Sequence, residues 1–362
     1  MSIESSYKTL TFTYDPINQI EFDIYIPSNL INKHIDKENK VGSLPLALPG
    51  VIAFHGGGIV SGSKKDAYFP QFLLDRYIAQ NVLFISPNYR LLYPSNGSDI
   101  LKDVTTLFNY FASKTSELYL KLNVEYGIRL DVNQLGVIGL SGGDYPSRSS
   151  ILLDNIPKEI KPKVYINFFG QAGDFLLDWW INTKKDEKVL MEGMPFDHSK
   201  IEILLSKEQN VISDCPMEIE GDENQRISLC NYFYNKGLYL DYLLSEPGLS
   251  KNLQNITTRE GRFNFIPKDK QYLLLPFDKL KEETEKPKFL FIHGIEDKVV
   301  PIQSSYNAQN QLNDLGIKSK SIWVKGAGHG LFQDGNWPYL VDGVDDIFDD
   351  CVKFTLDAFR DN

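Results

Sequence analysis

Short apolar runs alternate with longer segments of helical period along this chain. The runs are rich in β-branched and aromatic residues and are bounded by turn-forming residues, which is typical of strands. They predict eight strands, at residues 9–14, 21–26, 51–54, 82–86, 135–139, 164–169, 289–292 and 321–325. The alternation predicts an α/β fold with a mostly parallel eight-stranded sheet flanked by helices.

The first two strands have a different pattern from the others. Ile20, Phe22 and Ile24 alternate with polar residues, which indicates an antiparallel edge with one solvated face, whereas the later strands are continuous apolar runs, as in buried parallel strands. Two helices are also predicted, one with Asp99 as its N-cap and one over the last twenty residues.

One stretch interrupts the alternation of strands and helices. Residues 175–277 form charged, aromatic-rich segments of helical character, and strand signals resume at Lys288. This pattern predicts a mainly helical cap inserted into a core formed by residues 1–174 and 278–362. The alternative is a second domain in its own right.

Composition narrows the class of protein. The 362 residues are 42% hydrophobic and 24% charged, which excludes a wholly disordered chain. The net charge of −10 disfavours binding to nucleic acid or to anionic lipid. Cys215, Cys230 and Cys351 are odd in number and lack metal-ligand spacing, which indicates neither a disulfide framework nor a zinc site.

The chain carries no recognisable targeting signal. Its first residues lack the basic and apolar regions of a signal peptide, and no apolar run reaches membrane-spanning length. We therefore expect a cytoplasmic protein without a membrane span. The sequence leaves its oligomeric state open.

A candidate nucleophile follows the strand predicted at residues 135–139. The sequence Gly139-Leu140-Ser141-Gly142-Gly143 matches the G-x-S-x-G nucleophile elbow, in which flanking glycines permit a strained turn that exposes the serine hydroxyl. On its own the motif is also compatible with a flexible loop between a strand and a helix.

A glycine run ends an earlier strand. In His55-Gly56-Gly57-Gly58, backbone N–H groups are free to converge on one point, as an oxyanion hole requires. The alternative is a phosphate-binding loop. That alternative is disfavoured because no G-K-[ST] follows and the spacing differs from G-x-G-x-x-G.

An activated serine needs a base, and His329 is the best placed of five histidines. It lies between glycines just after the last predicted strand. Asp297 follows the preceding strand and is the candidate to orient the imidazole, with Glu296 as its rival. The order Ser141, Asp297, His329 is that of one hydrolase architecture. The remaining histidines are assigned to a loop, the glycine run, the cap and a strand end: His34, His55, His198 and His293.

On these motifs the chain resembles the α/β-hydrolase superfamily, and within it the HGGG branch that includes hormone-sensitive-lipase-like esterases. Tyr89-Arg90-Leu91 is similar to a signature of that branch. The resemblance implies Ser141 as nucleophile, His329 as general base and Asp297 as its orienting group. It further implies an oxyanion hole from three backbone N–H groups, those of Gly57, Gly58 and Gly142, and no metal or organic cofactor.

The chain departs from that branch at the elbow, where Leu140 and Gly142 replace the usual acidic residue and alanine. Arylformamidases, feruloyl-type esterases and acyl-peptide hydrolases therefore remain possible relatives.

Together the motifs predict a serine hydrolase, carboxylesterase-like, that cleaves esters of small or medium uncharged substrates through an acyl-enzyme. The alternatives are an amidase, arylformamidase or small-peptide hydrolase with the same triad, and a non-catalytic small-molecule receptor. Trp179 and Trp180 are predicted to contribute to the substrate pocket from the cap, because a cap over the strand ends must face the elbow.

Overall fold

Each strand predicted from the apolar runs is present in the computed structural model, which describes residues 6–35, 44–184, 198–206, 209–217, 225–283, 285–333 and 338–361. The strands are β1 (Tyr7–Asp15), β2 (Ile20–Pro27), β3 (Leu46–Phe54), β4 (Leu83–Pro87), β5 (Ile128–Leu140), β6 (Val164–Phe168), β7 (Lys288–Gly294) and β8 (Ser319–Val324). The α-helices are α1 (Ser28–Ile35), α2 (Gln71–Ala79), α3 (Gly97–Ala112), α4 (Glu117–Tyr126), α5 (Asp144–Leu152), α6 (Asp178–Ile181), α7 (His198–Ser206), α8 (Gln225–Lys236), α9 (Tyr239–Leu243), α10 (Leu249–Leu253), α11 (Arg259–Phe265), α12 (Gln303–Asp314) and α13 (Val344–Arg360).

The strands form one sheet in the order β1-β2-β4-β3-β5-β6-β7-β8. β2 pairs antiparallel with both β1 and β4, and every pairing from β4 to β8 is parallel. The carboxyl ends of β3, β5, β7 and β8 therefore lie along the same edge of the sheet. The segments that follow these strands meet there, as ligand-binding segments of open α/β sheets do.

Helices cover both faces of the sheet because successive strand residues point to opposite sides. In β3, Val51 and Ala53 belong to the same apolar cluster as residues of α2 and α13, whereas Ile52 and Phe54 belong to the cluster on the other face, with residues of α3, α4 and α5. α2 and α13 are joined by the stacked rings of Phe72 and Phe348, whose centroids are 3.9 Å apart.

Two local predictions were wrong. β2 was expected to be half solvated, but it lies between β1 and β4 and is almost entirely buried. Asp99 was expected to be the N-cap of α3, but that position is Asn96. The Asn96 side chain accepts from the Asp99 N–H at 3.2 Å, and the Asp99 carboxylate accepts from the Asn96 N–H at 3.2 Å. Asp99 is thus the reciprocal partner of the cap, at the third helical position.

The predicted insertion lies between β6 and β7 and contains α6 to α11. Many of its buried residues, among them Trp180 and Phe233, belong to the same apolar cluster as the helices on one face of the sheet. Its separation from the core as a cap domain stays a prediction. Within the described ranges, no helix has both the length and the apolar character needed to cross a bilayer.

α5, the helix that follows Ser141, is buried along its whole length even though it contains Arg148. The Arg148 guanidinium donates to the carbonyls of Leu275 (2.8 Å) and Ala172 (3.0 Å) and to Gln311 Oε1 (3.1 Å), and it lies 3.6 Å from the ring centroid of Phe277. Burial lowers the pKa of Arg148, because desolvation penalises the charged form. These contacts join α5 to the end of the insertion, the segment after β6 and α12.

Candidate active site

Ser141 follows β5 directly and adopts a backbone conformation that side chains rarely take, with φ of +52°. The glycines beside it are required by close approaches. A Cβ on Gly143 would lie 2.1 Å from the Phe54 carbonyl oxygen, and one on Gly142 would lie 2.5 Å from the Ile59 nitrogen. The chain therefore forms the strained turn predicted from the motif.

His329 lies in a short 3-10 turn after β8 and faces the serine. Its Nε2 is 2.9 Å from Ser141 Oγ, and its Nδ1 is 2.7 Å from Asp297 Oδ2. The edge of the imidazole packs against the ring of Phe169, with centroids 5.0 Å apart. The structure thus brings the three predicted residues together in one hydrogen-bonded chain.

The Asp297 side chain is fully buried, and both of its carboxylate oxygens accept hydrogen bonds. Oδ1 accepts from the N–H groups of Val299 (2.8 Å) and Val300 (2.9 Å), and Oδ2 is contacted by His329 and by His293, the latter at 3.1 Å. Burial alone would raise the pKa of Asp297. The charge of His329 and the hydrogen bonds of both imidazoles outweigh burial and hold that pKa well below its usual range, so the group is a carboxylate.

The rivals of these residues lie elsewhere. Glu296 is exposed and accepts a hydrogen bond from the Gly326 N–H at 2.8 Å, so it does not face the imidazole. The side chains of His34 and His198 lie outside the described part of the structure.

The glycine run lies directly against the elbow. Gly57 and Gly58 have φ of +88° and +62°, and a Cβ on Gly142 would lie 2.6 Å from the Gly58 nitrogen. Among the described residues, the N–H groups of Gly57 and Gly58 donate to no backbone carbonyl. These N–H groups are therefore available as donors beside the elbow, and the oxyanion hole stays a prediction.

His55 supports this loop from inside the protein. Its ring stacks on Tyr89 with centroids 4.3 Å apart, and its Nδ1 is 2.9 Å from the Gly56 carbonyl oxygen. Burial lowers the pKa of His55 to about 4, so the ring is neutral near neutral pH. Because the Gly56 oxygen can only accept, Nδ1 carries the hydrogen. His55 is therefore a support for the loop and not the base.

A second support comes from the insertion. The Tyr239 hydroxyl donates to the Gly58 carbonyl oxygen at 2.7 Å. Gln171 Nε2 donates to the Tyr239 oxygen, Gln171 Oε1 accepts from the Tyr234 hydroxyl at 2.7 Å, and the Gln171 N–H donates to the Ser141 carbonyl at 3.2 Å. This buried network links the insertion to both the glycine run and the elbow.

Replacing Tyr239 by phenylalanine is expected to lower kcat about tenfold with little change in KM, because the Gly58 peptide loses the donor that holds it. Steady-state kinetics and thermal unfolding measure both effects. The matched control is Tyr145→Phe, which removes an equally buried hydroxyl bonded to the Leu273 carbonyl at 2.9 Å and not to the glycine run. Each variant should lose about 1 kcal/mol of stability. Equal activity of the two variants would contradict the support role of Tyr239.

A cavity of about 410 Å³ opens beside Ser141 and His329. Its described lining includes the imidazole of His329 but no Asp, Glu, Lys or Arg side chain. The lining residues that lie outside the insertion are mainly apolar. The insertion contributes Met217, Ile227, Cys230 and Tyr234. No cluster of three or more His, Cys, Asp or Glu in the described residues could hold a metal ion.

Trp179 and Trp180 are not among the described residues that line this cavity. Trp180 is fully buried against Phe175, Tyr234 and Tyr239, and Trp179 donates from Nε1 to the Val299 carbonyl at 3.1 Å. The two tryptophans thus lie apart from the described lining: Trp180 packs within the insertion, and Trp179 bonds the insertion to the segment after β7. Met217 and residues of α8 form the side of the pocket that belongs to the insertion.

Sequence reasoning missed three residues of this site. His293 was assigned to stabilising a turn, although its position four residues before Asp297 could have indicated a contact with that carboxylate. Gln171 and Tyr239 carry no motif. Tyr239 reaches Gly58 only because the insertion folds back over the elbow, and Gln171, in the segment after β6, contacts Tyr239 there.

Solved structures resemble the whole chain. An alpha/beta hydrolase superfamily protein from Enterococcus faecalis has a TM-score of 0.51 and 16% identity, and the match covers 96% of this chain and 98% of that one. Thermogutta terrifontis esterase 2, phosphoramylated by tabun, has a TM-score of 0.51 and 12% identity, with 99% and 97% covered. The chain has the α/β-hydrolase fold. This confirms the predicted fold class, while membership of the HGGG branch within the α/β hydrolases stays a prediction.

Two matches at the level of sequence are partial. Residues 250–355 match the model of the prolyl oligopeptidase family, and this segment contains Asp297 and His329. The probable carboxylesterase M8 from Phoma sp. (strain ATCC 20986 / MF5453) is 26% identical over 106 residues, which are 29% of this chain and 32% of that protein. The chain thus aligns with about a third of the length of that relative.

Proposed function

We propose that the protein is a serine hydrolase that cleaves carboxylic esters of small or medium uncharged substrates. One observation carries the proposal: the hydrogen-bonded chain Ser141–His329–Asp297 opens onto the cavity of about 410 Å³. The partial match to a probable carboxylesterase supports it.

The reaction begins with proton transfer. Ser141 Oγ attacks the ester carbonyl carbon while His329 Nε2, 2.9 Å away, takes the hydroxyl proton. Asp297 holds the Nδ1 hydrogen of the ring and stabilises the imidazolium that forms. His329 then gives the proton to the leaving alcohol. In the second half, water attacks the acyl-enzyme with His329 again as base, which releases the acid and restores Ser141.

The negative charge that develops on the carbonyl oxygen needs donors fixed in advance. The N–H groups of Gly57, Gly58 and Gly142 supply them in this proposal. Tyr239 and His55 keep the loop in place, so little reorganisation is required when the charge forms.

The cavity lining sets the substrate class. A pocket of this volume accommodates a small ligand. Because Phe69, Phe72, Phe169 and Leu340 line it and no acidic or strongly basic side chain of the described residues does, burial of a charged substrate group would be uncompensated. Uncharged acyl and alcohol groups are therefore favoured.

One observation favours a second candidate. The match of residues 250–355 to the prolyl oligopeptidase family supports hydrolysis of an amide or small peptide by the same residues. The two candidates differ in the leaving group, which His329 must protonate more fully when it is an amine.

The deciding experiment combines a fluorophosphonate probe with matched substrates. We expect the probe to label Ser141, located by peptide mass spectrometry, and an uncharged ester to be hydrolysed faster than the anilide of the same acid. Faster turnover of the anilide would favour the amide hydrolase. Absence of both labelling and turnover in folded protein would favour the non-catalytic receptor.

The pH dependence of the proposed activity follows from the charge state of Asp297. Because its pKa is held far below the usual carboxyl range, Asp297 stays ionised at every practical assay pH. The acidic loss of activity then belongs to His329, whose protonated ring cannot accept the Ser141 proton. We expect kcat/KM to fall about tenfold per pH unit on the acidic limb and to level off above neutral pH. A flat profile measured with chemistry as the slow step would contradict this assignment.

A further inference from the structure

Asp297 Oδ2 is shared by two imidazoles. His329 Nδ1 lies 2.7 Å from it and His293 Nε2 lies 3.1 Å from it. His293 has no exposed surface and is not among the described residues that line the cavity, so it has no access to substrate. Its contact with the site is through Asp297.

The surroundings of His293 fix the position of its hydrogen. Nε2 faces Asp297 Oδ2 and the Val300 carbonyl oxygen at 2.9 Å, and both can only accept. Nε2 therefore carries a hydrogen in either charge state of the ring. Nδ1 lies 2.8 Å from the hydroxyl oxygen of Ser305, in α12, and either atom can be the donor of this contact.

The groups around the His293 ring are polar and are hydrogen-bonded to one another. Ser305 Oγ also lies 3.3 Å from Asn167 Oδ1, and Asn167 Nδ2 donates to Asp144 Oδ2 at 2.8 Å. Burial raises the pKa of Asp144 to about 6. Asp297, His329 and Asp144 are thus the titratable groups linked to His293 through these contacts.

We infer that His293 is a positioning residue for the reaction, because its Nε2–H holds Asp297 Oδ2 in the direction of His329 and withdraws part of the carboxylate charge. The inference rests on the proposed function for its kinetic consequence. It differs from a role in the turn alone, for which the hydrogen bond to Val300 would be enough.

Removal of this donor has two consequences. The carboxylate becomes free to rotate away from His329, which lowers the rate of serine activation. The charge on Oδ2 becomes less dispersed, which stabilises the protonated form of His329 and moves the acidic limb of activity to higher pH. If His293 only filled space, loss of its Nε2–H would change neither the rate of serine activation nor the position of the acidic limb.

The test compares His293→Phe, which keeps a flat ring but has no donor, with His293→Gln, whose amide nitrogen can replace Nε2. In ¹⁵N-histidine-labelled protein, NMR follows the far-downfield Nδ1 hydrogen of His329 and the protonation of each ring nitrogen of His293. The rate of fluorophosphonate labelling and the values of kcat and KM are measured against pH, with thermal unfolding as the check on folding.

We expect wild-type His293 to be protonated on Nε2. In His293→Phe, kcat should fall about tenfold or more with KM within about twofold. The acidic limb should move to higher pH, and the downfield His329 signal should shift or broaden. His293→Gln should restore kcat to within about threefold of wild type and restore the signal.

The inference is overturned if folded His293→Phe keeps the wild-type His329 signal and acidic limb, or if wild-type Nε2 is found without a hydrogen. The second outcome decides the question even when His293→Phe does not fold. Failure of the proposed function is a separate result: the wild type would neither be labelled nor turn over esters, while the His329 signal would still respond to His293→Phe.

Discussion

Ser141→Ala is expected to lower kcat by about four to six orders of magnitude, since the hydroxyl is the attacking group of the proposed reaction. The fold should be unchanged, because the substitution removes only a hydroxyl that faces the cavity. The close contacts of the turn are made by the neighbouring glycines, which stay in place. Purified variant and wild-type protein are compared in steady-state ester hydrolysis and in fluorophosphonate labelling, which the variant should lose completely.

The matched control is Ser147→Ala in α5. Ser147 is fully buried, and its hydroxyl has no hydrogen-bond partner among the described residues. This variant should keep wild-type kcat and labelling. If Ser141→Ala retained a tenth of the wild-type activity, the nucleophile would have to be sought elsewhere.

Arg148→Met is expected to lower the free energy of unfolding by about 3–5 kcal/mol. The methionine fills much of the volume, but the carbonyls of Leu275 and Ala172 and the amide oxygen of Gln311 lose their donor inside the protein. Each buried acceptor left unpaired costs about 1–3 kcal/mol. Equilibrium unfolding in urea, followed by circular dichroism, measures the loss.

Arg76→Met provides the comparison at the surface. Arg76 bridges Asp345 and Asp349 at 2.7 Å each, but both carboxylates are largely exposed, so the variant should lose no more than about 1 kcal/mol. A loss at Arg148 as small as that at Arg76 would show that water or backbone movement replaces its hydrogen bonds.

The fold and the central residues of the candidate site could be predicted because each leaves a local signal. Buried parallel strands are continuous apolar runs, and residues that follow such strands converge on one edge of the sheet. That is why Ser141, Asp297 and His329 could be placed together although the chain separates them widely. Strand limits were predicted less accurately. The first half of β5, which begins at Ile128, was missed because its apolar residues alternate with polar ones and the segment resembles a loop.

The rest depends on packing between distant segments. Nothing in the sequence indicates that Tyr239 reaches Gly58 or that Gln171 bonds to Tyr239. Trp179 and Trp180 were chosen for the pocket because adjacent residues of a helix point in different directions, so that one could face the site, but aromatic rings stabilise buried packing as readily as they line a cavity. Asp99 was misassigned because its partner Asn96 has the same capping chemistry three residues earlier.

The position of the insertion between β6 and β7 has a consequence for synthesis of the chain. A ribosome makes β1 to β6, with Ser141 and the glycine run, before it makes residues 169–287, and only then β7 and β8 with Asp297 and His329. Until Tyr239 has emerged, Gly58 lacks its tyrosine, and until β7 has emerged, the edge of β6 lacks its neighbour. An unpaired apolar strand edge is prone to aggregate, so nascent chains stalled within the insertion should depend on chaperones more than the released protein does.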